Sequence, residues 1–163
     1  MKKLLVALML VLPMSVFAQK FGHYNQSEVI MAMPEYAAAQ QEMEAKSKIY
    51  QDELQRMQDE FQSKLEDYQK NSETLPDAVK ERREQELTDL QQRLQDYVNK
   101  SRQDLSQIEA QKMQEIQQKL LKAVEEVGQA GGYIYVFDVA GIPSVSKTLS
   151  TDLTNEIKKK LGI

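Results

Sequence analysis

Two successive stretches of the chain place apolar side chains every three or four residues and leave most intervening positions charged. The first reads Tyr50, Leu54, Met57, Phe61, Leu65 and Tyr68. The second reads Leu87, Leu90, Leu94 and Tyr97, then Leu105, Ile108, Ile116, Leu120, Val124 and Val127. Such steps put one apolar stripe on one face of a helix, the spacing of a coiled-coil seam. Between them Asn71-Ser72-Glu73-Thr74-Leu75-Pro76-Asp77 interrupts the pattern with turn formers. Thr74 followed by Asp77 approximates a capping box, and Pro76 suits a first helical turn. The pattern therefore predicts a long antiparallel helical hairpin over 35–128 with its tip near 71–77. Its inbound helix is expected to stop at Gly128, since glycine past the last turn is a common terminator.

The flanks read differently. Phe21–Tyr24 has the look of a short strand, Ser27 is expected to cap a helix over Glu28–Met33, and Pro34 suits the first turn of the next helix. Beyond the hairpin, Tyr133–Val139 is β-branched and aromatic almost throughout, the composition of a strand buried on both faces. A turn at 140–143 follows, then Ser144–Thr148 alternates like a more exposed strand. Ser150 or Thr151 is expected to cap a last helix over Asp152–Leu161, with Lys158, Lys159 and Lys160 at the negative end of its dipole. Segments 19–34 and 129–163 thus form a small β-rich body, and the fold class is α+β, mostly α. A body of about 50 residues rarely builds a sufficient core without a metal, a disulfide or partners. With no cysteine and one histidine in the chain, pairing of strands between copies is the remaining solution, and it also covers open strand edges.

The N-terminus adds a destination. Lys2 and Lys3 precede an apolar run from Leu4 to Phe17, and Val16-Phe17-Ala18 stands before Gln19. This is the pattern of a secretory signal peptide over 1–18, cleaved after Ala18. The run is shorter than the ~20 residues of a spanning helix, and Pro13 interrupts it. The absence of cysteine leaves no site for a lipid anchor, so a soluble exported protein is expected. The formal charge of −4 becomes −6 without Lys2 and Lys3, and residues 42–127 hold 14 basic against 20 acidic side chains. The two signs are interspersed, as on a solvated helix surface, and the balance speaks against nucleic acid as partner.

Little in the chain points to catalysis. A lone imidazole at His23 cannot make a two-histidine metal site, and no serine or cysteine constellation points toward it. Asp138 reads as a strand-end aspartate bonded to the Gly141 turn. Acidic pairs such as Asp52-Glu53 lack the glycine turn that wraps a calcium ion. No enzyme activity, cofactor or metal is expected. More informative are apolar residues off the stripe, namely Met43, Ile49, Val79 and Val98. They read first as ordinary packing, since helices bury more than a strict stripe; the functional alternative, taken with Met57 and Phe61, is a dispersed, weakly apolar wall suited to many partners and tight for none.

In that order of elements the chain resembles the Skp (OmpH-type) family of periplasmic chaperones. The residues that carry the likeness are Phe21-Gly22-His23-Tyr24-Asn25, Val29 and Met33-Pro34-Glu35 at the start. At the end they are Tyr133-Ile134-Tyr135-Val136-Phe137, Ser150-Thr151-Asp152-Leu153-Thr154-Asn155-Glu156-Ile157 and Leu161. The resemblance implies a homotrimer whose bodies join strands into a barrel; the open strand edges put Phe21, Tyr24, Tyr133, Tyr135 and Phe137 at its expected interface. It implies three coiled-coil tentacles that hold unfolded outer-membrane β-barrel proteins without ATP, with Met43, Ile49, Met57, Phe61 and Val98 as client-binding candidates. Well-known members are strongly basic and this chain is acidic, so binding to lipopolysaccharide or anionic membrane is not carried over. The alternative readings are a trimeric coiled-coil spacer and a dedicated adaptor of the cell envelope.

Overall fold

A computed structural model describes residues 19–163. The expected signal peptide, 1–18, lies outside the described residues. The elements run β1 (Lys20–Tyr24), α1 (Gln26–Ala32), α2 (Pro34–Asn71), α3 (Asp77–Gly131), β2 (Tyr133–Asp138), β3 (Ser150–Asp152) and α4 (Thr154–Leu161). They fall into two compact units. One comprises the described residues up to Gln26 together with Lys122–Gly162; the other is Ser27–Leu121 with Ile163.

The first unit is a three-stranded sheet in the order β2-β1-β3, with both pairings parallel. Its short central strand is tied on both sides. Phe21 pairs with Tyr135 and Ser150, and His23 pairs with Phe137 and Asp152. The ladder continues past the strand ends through Val139 N–H to Tyr24 O at 2.9 Å and Leu153 N–H to His23 O at 2.8 Å. A register shift between Lys20 and Phe21 leaves Ile134 without a partner in β1. Parallel neighbours need a crossover; that between β1 and β2 consists of α1, α2 and α3, and the loop 139–149 then carries the chain from β2 to the other side of β1, where β3 pairs.

One face of this sheet is packed within the unit. A Cβ on Gly22 would lie 2.5 Å from Leu153 Cδ1, and one on Gly128 would lie 3.2 Å from Val136 Cγ2. Tyr24, Ala123, Leu153, Thr154 and Ile157 are buried. Lys160 of α4 pairs with Glu126 in the last turns of α3 at 2.6 Å.

The second unit holds most of α1, all of α2 and α3 as far as Leu121, with α2 and α3 paired as a hairpin. At ~1.5 Å per residue α2, with 38 residues, is about 57 Å long. Leu90, Ile116 and Leu120 of the predicted stripe are buried, as are Val29, Ile30, Met33 and Ala39. Most other stripe residues are half-buried, because two helices alone can cover only one side of each other's seam. Polar bridges hold the pair in register. Glu35 meets Lys119; one heptad along, Glu42 meets Lys112 at 2.9 Å. Eight residues further the Tyr50 phenol donates to Asp104, while its ring meets Tyr97 edge-on at 6.2 Å. Nearer the tip Lys64 pairs with Glu86, and the Tyr68 phenol donates to Glu84.

Several boundaries differ from the sequence expectation. The first short helix opens at Gln26, so Ser27 lies inside it; the Gln26 amide donates to Asp138 Oδ1 at 3.1 Å. A remote carboxylate thus does what a local hydroxyl was expected to do. Thr74 does not cap α3. Its hydroxyl donates to Asn71 O at 2.9 Å and closes the end of α2, while Val79 and Lys80 donate to Pro76 O. The inbound helix runs through Gly128 to Gly131. The chain turns at Gly132, whose φ of 66° suits glycine, and Gly128 lies inside the helix where a Cβ would come within 3.2 Å of Val136 Cγ2. Ser144–Thr148 is not a strand. The third strand is Ser150–Asp152, drawn into pairing by the open side of β1, so Ser150 and Thr151 cannot cap α4. The N-cap is Leu153, and Asp152 just before it accepts from Thr154 N–H at 2.9 Å and from Thr154 Oγ1 at 2.6 Å.

Gly22→Val tests the packed face. Overpacking against Leu153 should lower stability by about 1–3 kcal/mol, read as a lower urea midpoint at unchanged slope in far-UV circular dichroism. An unchanged midpoint would mean that β1 does not seat on Leu153.

Candidate functional site

The other face of the sheet is where the chain leaves large apolar side chains uncovered. Register places Phe21 and His23 of β1 beside Tyr135 and Phe137 of β2. The Phe21 and Tyr135 rings stack at 6.3 Å, and those of Tyr135 and Phe137 at 5.7 Å. Tyr135 is 58% exposed and Phe137 48%. The loop 139–149 adds Ile142, Val145 and Leu149 to a groove with Phe21, His23 and Phe137, and Leu149 is 78% exposed. β2 was expected to be buried on both faces; within one chain it is not, because nothing in the unit covers its aromatic side.

Of the five expected interface residues, Phe21, Tyr135 and Phe137 share this open face. Tyr24 and Tyr133 take other places. Tyr24 is 4% exposed in the chain's own core, where burial and then the Asp138 charge push its phenol pKa up. The Tyr133 ring lies against Gly131 and Gly22, under Lys20 Nζ at 5.8 Å. The tyrosines of the two strands look alike in sequence, and only register separates them.

His23 is less isolated than its sequence context suggested. Its Nδ1 lies 2.7 Å from Ser150 Oγ, a pairing made by the β1–β3 register. This is a cross-strand bond on the open face; Asp152, the register partner of His23, accepts from Thr154 through Oδ1. Asp138 Oδ1 accepts from Ala140 N–H at 3.2 Å as well as from Gln26, in keeping with the turn role read from sequence. Among the described residues no group of histidine, cysteine and carboxylate side chains could hold a metal ion, and no helix is long and apolar enough to cross a membrane.

The hairpin does not bring its five candidate residues together. Met57 and Phe61 are half-buried seam residues, and Ile49 is 62% exposed. Val98 lines a shallow groove with Leu54, Gln58, Leu94, Gln95 and Asn99. Met43 lines a separate groove of about 780 Å3 with Tyr36, Ala37, Gln40 and Met113. Tyr36 and Met113 were not foreseen. Tyr36, Ala39 and Met43 continue the stripe below Tyr50 at the same helical spacing, a signal obscured by the run of alanines.

The electrostatics are those of charge-assisted bonds on solvated helices. Hydrogen bonds from Lys119, Lys64 and Lys160 hold Glu35, Glu86 and Glu126 below the usual carboxylate range, and the Thr154 hydroxyl and amide do the same for Asp152. A depressed folded-state pKa contributes stability that is present above the unfolded carboxyl value, about 4, and lost as pH falls through the folded one. Thermal midpoints should therefore drop as pH is lowered below about 4. Circular dichroism melts from neutral to acid check this, and a midpoint that rises below that pH would contradict it.

The sequence profile of the family described as outer membrane protein (OmpH-like) matches residues 20–161. Among solved structures, a "putative outer membrane chaperone (OmpH-like)" from Caulobacter crescentus CB15 superposes with a TM-score of 0.77. It is 12% identical, with 88% of this chain and 83% of that chain covered. A comparison with curated proteins finds no significant match.

Proposed function

The chain belongs to the OmpH-like outer membrane protein family, and from that membership we propose that it is an ATP-independent periplasmic holdase for unfolded outer-membrane β-barrel proteins. In this reading the sequence Met1–Ala18 directs export, and three copies join through Phe21, Tyr135, Phe137 and the strand edges beside them. The three hairpins then enclose the client. The observation that carries the reading is the uncovered aromatic side of a parallel sheet in a chain that also extends a long, half-covered helical hairpin. All-parallel sheets are found with both faces covered, so the open face calls for further copies. A β-barrel precursor exposes alternating apolar side chains on an unpaired backbone and aggregates edge to edge. Half-buried stripe residues and scattered apolar ones such as Ile49 offer it many weak contacts. Weak contacts allow release without an energy source.

Shortening both arms by matched heptads tests enclosure. Light scattering with clients of increasing size should show protection lost first for the largest, since the enclosed volume falls with arm length. Equal protection of large clients by the shortened and full-length proteins would replace enclosure with binding at the body. A full-length protein that prevents no aggregation would favour the spacer or adaptor alternative.

A further inference from the structure

Resting on the holding role, we infer that the groove of Tyr36, Met43 and Met113 selects client segments in which apolar residues are flanked by lysine or arginine. Its floor is apolar and comes from both helices of the hairpin: Tyr36, Ala39 and Met43 from α2, Met113 from α3. Small residues open it. Ala39 stands where a larger stripe residue would fill the space between the helices, and Ala37 lines the groove from a more exposed position.

The rim carries a definite sign. Lys112, the cation of the lining, is engaged by Glu42 at 2.9 Å, and that bond holds its pKa up. The two charges cancel locally. Glu44 and Glu109 remain on the rim, and neither meets a cation of the described residues within ion-pair distance. The groove thus offers an apolar floor beneath two carboxylates, in a hairpin whose residues 42–127 carry six more acidic than basic side chains. An acidic segment entering it meets like charge at close range, while a lysine or arginine beside the inserted apolar residue meets an unneutralised carboxylate. The long aliphatic stems of those two residues also lie well along an apolar floor.

The test uses the full-length mature protein and two labelled peptides with the same apolar residues, one with lysine and one with glutamate at the polar positions. Fluorescence anisotropy at low ionic strength should favour the lysine peptide by roughly fivefold, the effect expected of two exposed charge contacts, and salt should erase the preference. Glu44→Gln with Glu109→Gln should remove most of the preference, and Met43→Gln should weaken both peptides alike. Equal binding, a preference for the glutamate peptide, or a preference unchanged in the double variant would overturn the inference. So would a change of assembly mass in the Met113→Lys protein without a change in peptide binding, which would give the groove to a second copy. Aggregation protection of an unfolded β-barrel, measured in parallel, reports on the holding role itself: protection without charge preference sinks only the selection rule, and absence of protection sinks the role.

Discussion

A parallel sheet is stable when both its faces exclude water, because its strands are short of local partners and its apolar side chains point both ways. This chain covers one face by itself. Leu153 sits over Gly22, Val136 over Gly128, and Ile157 is fully buried in α4. The other face keeps Phe21, Tyr135 and Phe137 stacked against one another and open to solvent, with Ile142 and Leu149 exposed beside them. Contiguous exposed aromatics on so small a unit mark an interaction surface. The proposed trimer depends on what covers that face.

The hairpin meets the opposite requirement. Two helices alone give only half a core, so their register is secured by cross-helix bridges at near-heptad steps: Glu35–Lys119, Glu42–Lys112 and Tyr50–Asp104. Between Tyr50 and Lys64 the outbound stripe is Leu54, Met57 and Phe61, all half-buried, while Leu90 of the second stripe is fully buried. Exposed bridges of this kind contribute little each. Their use is alignment, and a hairpin aligned but only half-covered keeps apolar surface available along its length.

Much of this could be read from the residues. The stripes located both long helices, and the aromatic run located β2. What escaped the sequence depended on distant partners. Asp138 caps α1 from far along the chain, and no local pattern around Ser27 could reveal it. Gly128 looked like a terminator, but the helix runs on through it, and its close neighbour is Val136 of the following strand. Ser150 and Thr151 looked like caps and became a strand because β1 had a free side. For the surfaces, residue type was enough to nominate Tyr24, Tyr133 and Tyr135 together, and only register could sort them between core and open face. The groove at Tyr36 and Met113 needed both helices placed side by side.

Sedimentation equilibrium of the mature, unmodified protein at micromolar concentration tests the central claim most directly. If the open aromatic face is covered by further copies, the mass is that of three chains and stays so on dilution through the micromolar range. A folded monomer at that concentration, with its strands intact and Tyr135 and Phe137 still exposed, would contradict it.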